Sequence, residues 1–298
     1  MSHNALFNNE SSVELTSTPP VKFASRWQKF CRNRLALFSL GFLLLVVAIS
    51  LLAPWISPYD PLQSTPRLRL GPIGTPGHWL GLDGQGRDIL SRLLWGGRTS
   101  LAASVIPVLL AAVLSLILGV VAGYRQGRLS SLVMRLIDML FAFPMVLLAI
   151  GLSAVIGSGL MTVSITLICS ATPYLTRVVY AETRTEIGKE YIEAARALGT
   201  PTVELLYREL LPNVITPLVV YTTTLLGGMV VFLAGLSFLG LGVQPPQADW
   251  GRMVSEGSQM MILGAPHIAT LPAAAIVLVS LAFNWLGDGL HDALDPHA

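Results

Sequence analysis

The stretch EYIEAARALGTPTVELLYRELLPN, from Glu190 to Asn213, is a charged sequence between two long apolar runs. Strong helix formers dominate its first part, and Gly199 then offers the left-handed conformation that commonly ends a helix. Thr200 and Pro201 suit the start of a second helix, as a capping hydroxyl and a proline in the first helical position. Because charged side chains are costly in hydrocarbon, we expect two helices joined by a glycine turn outside the membrane.

The second helix of this stretch is predicted to be amphipathic. Glu204 and Arg208 form an i, i+4 pair on its polar face, and Pro212 is expected to end it before the next apolar run. We call residues 189–213 the elbow segment. The pattern leaves open whether this helix pair packs on its own protein or enters a groove of a partner. The apolar positions repeat at helical spacing at Val203, Leu206, Tyr207, Leu210 and Leu211.

The rest of the chain has the composition of a membrane protein. Of its 298 residues, 53% are hydrophobic and 12% are charged, against about 25% charged in an ordinary soluble domain. The net charge of +2 gives no reason to expect a nucleic-acid partner. Six runs are long enough to span a bilayer, so we predict an all-α polytopic protein with six transmembrane helices. The runs cover residues 35–56, 99–122, 134–156, 160–180, 213–236 and 269–287.

Positively charged residues fix the predicted orientation. The tail and the even-numbered connections hold thirteen Lys and Arg residues against six on the other side, which places both termini and the elbow segment in the cytoplasm. The first apolar run is too long for a cleaved signal core, so we interpret it as a retained anchor. The predicted organisation is a disordered tail (1–24), a first transmembrane helix with an outer loop (25–98) and a core domain (99–298).

The elbow segment resembles the EAA loop of ATP-binding-cassette importer permeases. That family's pattern is EAA, three residues, Gly, and then a hydrophobic ending with Leu-Pro. The matching positions here are Glu193, Ala194, Ala195, Gly199, Leu211 and Pro212.

Three further stretches are similar to one branch of that superfamily, the dipeptide, oligopeptide and nickel permeases of the DppC/OppC type. HWLGLDGQGRDILSRLLWGGRTSL (His78 to Leu101) matches the branch pattern GTD-x-x-GRD-x-x-SR, except that Leu82 replaces the usual Thr. The two closing signatures of the branch resemble LSFLGLGVQPPQADWGRM, which begins at Leu236, and LAFNWLGDGLHDALDP, which begins at Leu281. The resemblance covers about residues 25–298.

This resemblance implies a non-catalytic permease subunit of the bacterial inner membrane with the type I importer fold. Its partners would be a second, similar permease, two ATPase subunits and an extracytoplasmic substrate-binding protein. Glu193 would make polar contacts with an ATPase, and Gly199 would allow the sharp turn. The chain has no GxxxxGK[ST] phosphate loop, so we expect it to bind no cofactor itself, with ATP and Mg²⁺ on the partner ATPases.

Two other parts of the chain are candidate sites. Thr216, Thr223 and Gly227 in the fifth run either permit close helix packing or line the translocation path. An apolar stripe with Trp250, Met253 and Met260 predicts a helix that lies along the membrane surface or folds back into the outer mouth, with Arg252 and Glu256 paired opposite. This helix is expected to be either a plain interfacial helix or an outer gate or receptor-docking surface.

Several acidic residues receive structural interpretations. Asp83 and Asp88 lack the ligand spacing of an EF-hand, so we predict a turn before a short helix over Asp88–Trp95 and no metal site. Arg135 and Asp138 are expected to pair near the cytoplasmic end of the third run. Asp288, Asp292 and Asp295 follow the last run and are expected to be solvated.

Two alternative functions belong to other classes. An intramembrane hydrolase would rely on Ser158 and the distant His267, with no orienting acid in view. A stand-alone secondary carrier would need ionisable residues near the middle of its spans, whereas the charges here lie at the ends. Cys31 and Cys169 do not suggest a disulfide framework. The transported solute stays open among dipeptides, longer peptides, glutathione-like thiols and nickel or other metal chelates.

Overall fold

The computed structural model describes residues 23–294, which are mostly helical, with isolated β-bridges in the long loop after α3. The first part contains α1 (Phe23–Arg32), α2 (Arg34–Leu51), α3 (Ala53–Ile56), a 3₁₀ turn (Pro66–Leu68), α4 (Ile89–Tyr124), α5 (Arg128–Phe141), α6 (Met145–Ile156) and α7 (Leu160–Ile187). The second part contains α8 (Glu190–Ala197), α9 (Thr202–Glu204), a π-helical segment (Leu205–Leu210), α10 (Leu211–Phe238), α11 (Trp250–Ser258), a 3₁₀ turn (Met261–Leu263) and α12 (His267–Leu294).

The predicted all-α architecture with membrane-spanning helices is confirmed. Five continuous helices are long and apolar enough to cross a membrane, namely α2, α4, α7, the unbroken helix Thr202–Phe238 and α12. The pair α5 and α6 supplies the sixth candidate span, with a bend of 88° between its halves. Of the predicted tail (1–24), residues 1–22 lie outside the described residues. Asp295 also lies outside them.

The third span, predicted over residues 134–156, is bent in the structure rather than one continuous helix. α5 ends at Phe141 and α6 begins after Pro144, whose ring nitrogen has no hydrogen to continue the helical ladder. α6 has 12 residues and is therefore about 18 Å long, too short to cross the hydrocarbon core alone. The bent pair is needed for this span.

The second span begins earlier than predicted. Instead of a separate short helix over Asp88–Trp95, α4 runs without interruption for 36 residues from Ile89. Asp88 caps it by accepting the Ser91 backbone N–H at 2.7 Å. Gly96 and Gly97 do not end the helix because they lie against the Trp250 side chain, where a Cβ on Gly97 would come within 2.9 Å of the indole ring.

Pro212 does not stop the second helix of the elbow segment, so that expectation is also wrong. The chain passes into α10 through the π-helical segment, in which the Leu211 N–H donates to the carbonyl five residues earlier, at Leu206. Asn213 donates its side-chain amide to the Glu209 carbonyl at 2.8 Å. A local change of helical register thus accommodates the proline. In membrane proteins such adjustments commonly satisfy the backbone groups that a proline leaves without a hydrogen bond.

Small residues bring the spans together. A Cβ on Gly119 of α4 would lie 2.5 Å from the Val179 side chain of α7, and one on Gly287 of α12 would lie 2.3 Å from Thr224 Oγ1 of α10. Close approach of this kind is how helices associate where lipid offers no hydrophobic contrast. The fold thereby forms a bundle with the elbow segment at one end, and we call the opposite end the outer end.

Candidate functional site

The first helix of the elbow segment has one inward face and one outward face. Ile192 is fully buried and anchors α8 to the bundle. Glu193 and Ala194 are exposed, and Ala195 is half-buried. The Arg196 guanidinium lies 5.5 Å from the centre of the Tyr124 ring, at the end of α4. The residues that match the family pattern therefore lie largely on the solvent side of α8.

The glycine turn is built as the sequence predicts. Gly199 has φ of +79°, and its N–H donates to the Arg196 carbonyl at 3.0 Å. The Thr200 N–H donates to the Ala195 carbonyl at 3.1 Å. These two bonds form a Schellman motif, which satisfies the last carbonyls of α8. A Cβ at Gly199 would meet no atom within 4 Å, so the backbone conformation alone requires glycine here.

The apolar face of the second helix differs from the predicted stripe. Leu205 and Leu210 are fully buried, whereas Val203 and Tyr207 are 78% and 76% exposed. Residues five apart share a face in a π-helical turn, which explains why this buried pair replaces the predicted i, i+4 series. Glu204 and Arg208 pair as predicted, at 3.4 Å.

An apolar surface remains uncovered at the elbow. Leu198, immediately before the glycine turn, is 87% exposed. Val203 and Tyr207, which follow the turn, are exposed as well. We call Leu198, Val203 and Tyr207 the elbow patch. Leu211 is half-buried and Pro212 is exposed beyond it.

The predicted path residues of α10 lie in different surroundings. Thr216 lines a cavity of about 280 Å³ together with Glu182, Tyr221 and His291. Thr223 is half-buried and donates its hydroxyl to the Val219 carbonyl at 2.8 Å.

Gly227 is buried in the contact between α10 and α12. A Cβ there would lie 2.6 Å from Asn284 Nδ2 and 2.8 Å from the Ser280 carbonyl oxygen. Its own carbonyl accepts the Ser280 hydroxyl at 2.8 Å. This position serves close packing of the two helices.

The predicted outer-gate helix folds into the bundle. Trp250 and Met253 of α11 are buried, and Met260 beyond it is half-buried. The Trp250 indole N–H donates to the Leu93 carbonyl of α4 at 2.9 Å. A Cβ on Gly251 would lie 2.4 Å from the Ala234 carbonyl oxygen of α10. The helix is therefore wedged between spans.

A network of five charges, three of them buried, holds α11 to the start of α4 and the loop before it, and only its Arg252–Glu256 pair was predicted. Asp83 Oδ2 lies 2.7 Å from Arg87 Nε and 2.5 Å from Arg92 Nη1. Glu256 Oε2 lies 2.7 Å from Arg87 Nη2 and 2.9 Å from Arg92 Nη1, and its Oε1 lies 3.0 Å from Arg252 Nε. We call these five residues the ion-pair network.

The network changes the acidity of its central carboxylate. Burial alone would raise the pKa of Glu256, but the guanidinium groups of Arg92, Arg87 and Arg252 together hold that pKa below its usual value. In the sequence, the charged residues of the GRD-x-x-SR motif were a signal for this network. The distant partner, Glu256, could not be assigned from that motif.

The turn predicted around Asp83 and Asp88 is confirmed. Asp83 Oδ1 accepts the backbone N–H groups of Gln85 and Arg87 at 2.8 and 2.9 Å. Asp88 accepts the Ser91 hydroxyl at 2.8 Å, and its other oxygen lies 2.9 Å from His78 Nδ1. Both carboxylates therefore organise the loop and the start of α4.

Two other predicted pairings have different outcomes. Asp138 pairs with Arg177 at 2.6 Å and not with Arg135, because the bend after α5 brings α7 beside it. Ser158 shares a hydrogen bond with Ser153 at 2.7 Å, and His267 Nε2 lies 3.2 Å from the Gly71 carbonyl oxygen. The two residues of the hydrolase hypothesis thus have separate partners. Asp288 and Asp292 are exposed, as expected, although they lie within α12.

The bundle of spans with a helix pair at one end defines a polytopic membrane protein, and comparison with known proteins gives its family. Residues 115–298 match the family described as binding-protein-dependent transport system inner membrane component. Residues 23–72 match the N-terminal transmembrane domain of oligopeptide transport permease C. The chain belongs to this family and is a membrane-spanning permease subunit of an ATP-binding-cassette importer.

Individual relatives agree with the family assignment. The chain is 42% identical to the glutathione transport system permease protein GsiD of Pectobacterium atrosepticum, over 91% of this chain and 89% of that protein. It is 41% identical to the protein of the same name from an Escherichia coli strain, over 98% of both chains. The methionine ABC transporter MetNI, in an inward-facing conformation, shares the fold with a TM-score of 0.56 at 21% identity, over 70% of this chain and 98% of that one.

Proposed function

We propose that the chain pairs with a second, similar permease to form the pathway for a small peptide-like solute, with glutathione as the first candidate. The similarity to proteins named as glutathione transport permeases extends over nearly the whole chain, which supports this class of solute. Dipeptides, longer peptides and nickel chelates are the competing solutes within the branch that the sequence resembles. An extracytoplasmic binding protein would deliver the solute.

The elbow segment is the proposed docking site for an ATPase, and two ATPase subunits would serve the permease pair. The exposure of Leu198, Val203 and Tyr207 carries this proposal, because a cluster of large apolar side chains outside the spans marks a protein interaction surface. Glu193 beside the patch would add polar contacts. ATP and Mg²⁺ would be bound by the ATPases, whose closure would move the elbow and with it the spans.

The proposed location is the bacterial inner membrane, with both termini and the elbow segment in the cytoplasm. The excess of Lys and Arg in these segments supports that orientation. Thr216 and Thr223 are the proposed path residues, while Gly227 would act by letting α10 and α12 approach. Trp250, Met253 and Met260 would act at the outer gate through the position of α11.

A double substitution tests the elbow proposal. Glu193→Lys reverses the charge beside the patch, and Gly199→Val opposes the left-handed turn. We expect loss of ATP-dependent uptake and of ATPase co-purification, with normal membrane insertion. Asp292→Asn, at an exposed position at the end of α12, is the matched control and should transport normally. Normal uptake by the double variant would refute the docking role.

Uptake measurements test the solute. Cells or vesicles with the full complex should accumulate labelled glutathione, and unlabelled glutathione should compete better than dipeptides or nickel. Preferential uptake of nickel would overturn the peptide-like assignment and leave the docking proposal standing.

Thiol labelling tests the path. Cys31 and Cys169 are replaced by Ser to give a cysteine-free background, and Thr216→Cys is then introduced. We expect transported solute to slow its modification by a polar maleimide. A cysteine placed at exposed Ile262, beyond α11, is the control and should be labelled equally with and without solute. Equal labelling of the Thr216→Cys variant with and without solute would remove Thr216 from the path.

A further inference from the structure

A phenol oxygen connects three elements at the base of the elbow segment. The Tyr191 hydroxyl, on the first turn of α8, donates to the Glu186 carboxylate on the last turn of α7. The same oxygen accepts the Asn213 side-chain amide, at the start of α10, at 3.1 Å. A tyrosine hydroxyl has one hydrogen to give and lone pairs to receive, so it can make both bonds at once.

The carboxylate in this cluster is buried and paired. The Glu186 side chain is 8% exposed, and its second oxygen lies 2.5 Å from Lys189 Nζ. A buried carboxylate is costly unless its oxygen atoms receive hydrogen bonds, and Tyr191 supplies one of them. Burial and the bond to Glu186 raise the pKa of Tyr191, so its hydroxyl stays protonated and remains a donor at physiological pH.

The amide of Asn213 extends the connection to the π-helical segment. It donates to the Glu209 carbonyl as well as to Tyr191, at 2.8 and 3.1 Å. The cluster therefore joins the end of α7, the start of α8 and the junction at which the elbow passes into α10. At each of these three points, a rotation of α8 would have to be transmitted to an adjoining span.

We propose that Tyr191, held by Glu186 and Asn213, is a positioning residue that fixes α8 to the spans on both sides of it. The proposal rests on the docking function of the elbow segment. A docked helix transmits the movement of an ATPase only if it turns as one body with the spans, and otherwise it swings about Gly188 and Gly199. Tyr191 thus acts through the geometry of α8 and not through contact with the ATPase.

Tyr191→Phe tests this role because it removes the hydroxyl and keeps the ring. In the reconstituted complete complex, we expect normal co-purification of the ATPases. The ratio of glutathione transported to ATP hydrolysed should fall by about fivefold, the lower end of typical coupling between linked sites. Stimulation of ATP hydrolysis by the binding protein should fall in parallel, which gives a readout that does not depend on the solute.

The control and the second variant separate positioning from general damage. Tyr180→Phe removes one hydroxyl from α7 above the cluster and should leave both readouts unchanged. Asn213→Ala should lower both the transport-to-hydrolysis ratio and the stimulation of ATP hydrolysis in the wild-type background. It should lower both less in the Tyr191→Phe background, because the two residues share one hydrogen bond.

Three results would overturn the proposal. They are unchanged coupling in Tyr191→Phe, independent effects of the two substitutions, and loss of ATPase co-purification in Tyr191→Phe, which would place Tyr191 in the docking surface. The docking proposal fails by a different result, namely normal uptake by the Glu193→Lys, Gly199→Val variant. The two failures are therefore distinguishable.

Discussion

The two ends of the bundle use charged residues in opposite ways. At the outer end, Asp83, Arg87 and Arg92 are buried and meet Glu256, which lies on a helix far along the chain. At the elbow, Glu193 and the Glu204–Arg208 pair are exposed on the segment that also carries the elbow patch. One end pairs its charges within the chain, while the other leaves its charges exposed to solvent. A charged residue therefore indicates an external partner only once its burial is known.

Removal of a buried guanidinium should give the largest effect. Arg92 is 1% exposed and contacts both carboxylates of the ion-pair network. Arg92→Leu takes one guanidinium partner from both Asp83 and Glu256, so we expect a loss of about 3 kcal/mol in the free energy of unfolding, the low end for a broken buried pair because Arg87 still contacts both carboxylates. Thermal unfolding of the purified complex in detergent measures it.

The exposed pair at the other end is the control for this substitution. Arg208→Leu should cost less than about 1 kcal/mol, because exposed ion pairs contribute little. Equal losses at the two positions would remove the contrast between the ends.

The close packing of α11 against α10 gives the second prediction. Gly251→Ala places a Cβ 2.4 Å from the Ala234 carbonyl oxygen, a backbone atom that cannot yield easily. We expect destabilisation of about 1–3 kcal/mol, typical of overpacking. Gly235→Ala, where a Cβ meets nothing within 4 Å, should be neutral or slightly stabilising in the same unfolding assay. If both substitutions are tolerated, α11 is not held as tightly as its contacts indicate.

The glycine turn gives the third prediction. Gly199→Ala forces a side chain into φ of +79°, at a cost of about 1–2 kcal/mol per residue. Because the strain is confined to the elbow, we expect reduced uptake with unchanged thermal stability of the spans. Gly188→Ala, at φ of −80°, is the control and should transport normally. A thermal shift without a transport defect would contradict a specific role for the turn.

Lowering the pH should give the smallest loss of stability among these tests of the ion-pair network. The pKa of Glu256 lies below its ordinary value of 4.5 in the folded protein, so its contribution to stability is complete above pH 4.5. That contribution is lost as the pH falls below 4.5 and through the folded pKa. Glu256→Gln should flatten this part of the stability profile, measured by thermal unfolding between pH 3 and 7. An equally steep profile in the variant would assign the acid sensitivity to other carboxylates.

The sequence predicted much of the fold and the helix, glycine turn and second helix of the elbow segment. The spans followed from apolar length, and the end of α8 followed from Gly199, since both depend on neighbouring residues. The bend at Pro144 and the continuation through Pro212 show the limit of this reasoning. A proline removes one hydrogen bond at either place, and packing decides whether the helix breaks or adjusts.

The amino-acid sequence alone is enough to predict an all-α membrane protein with an elbow between two spans. Hydrophobic length, helix propensity and the left-handed preference of glycine are local free energies, and neighbouring residues reveal them. Only the tertiary structure decided that Arg92 meets Glu256, 164 residues away, that Asp138 pairs with Arg177, and that Tyr191 joins α7 to α10. The pairing of a desolvated polar group depends on which distant helices lie side by side, and the order of residues along the chain does not state that.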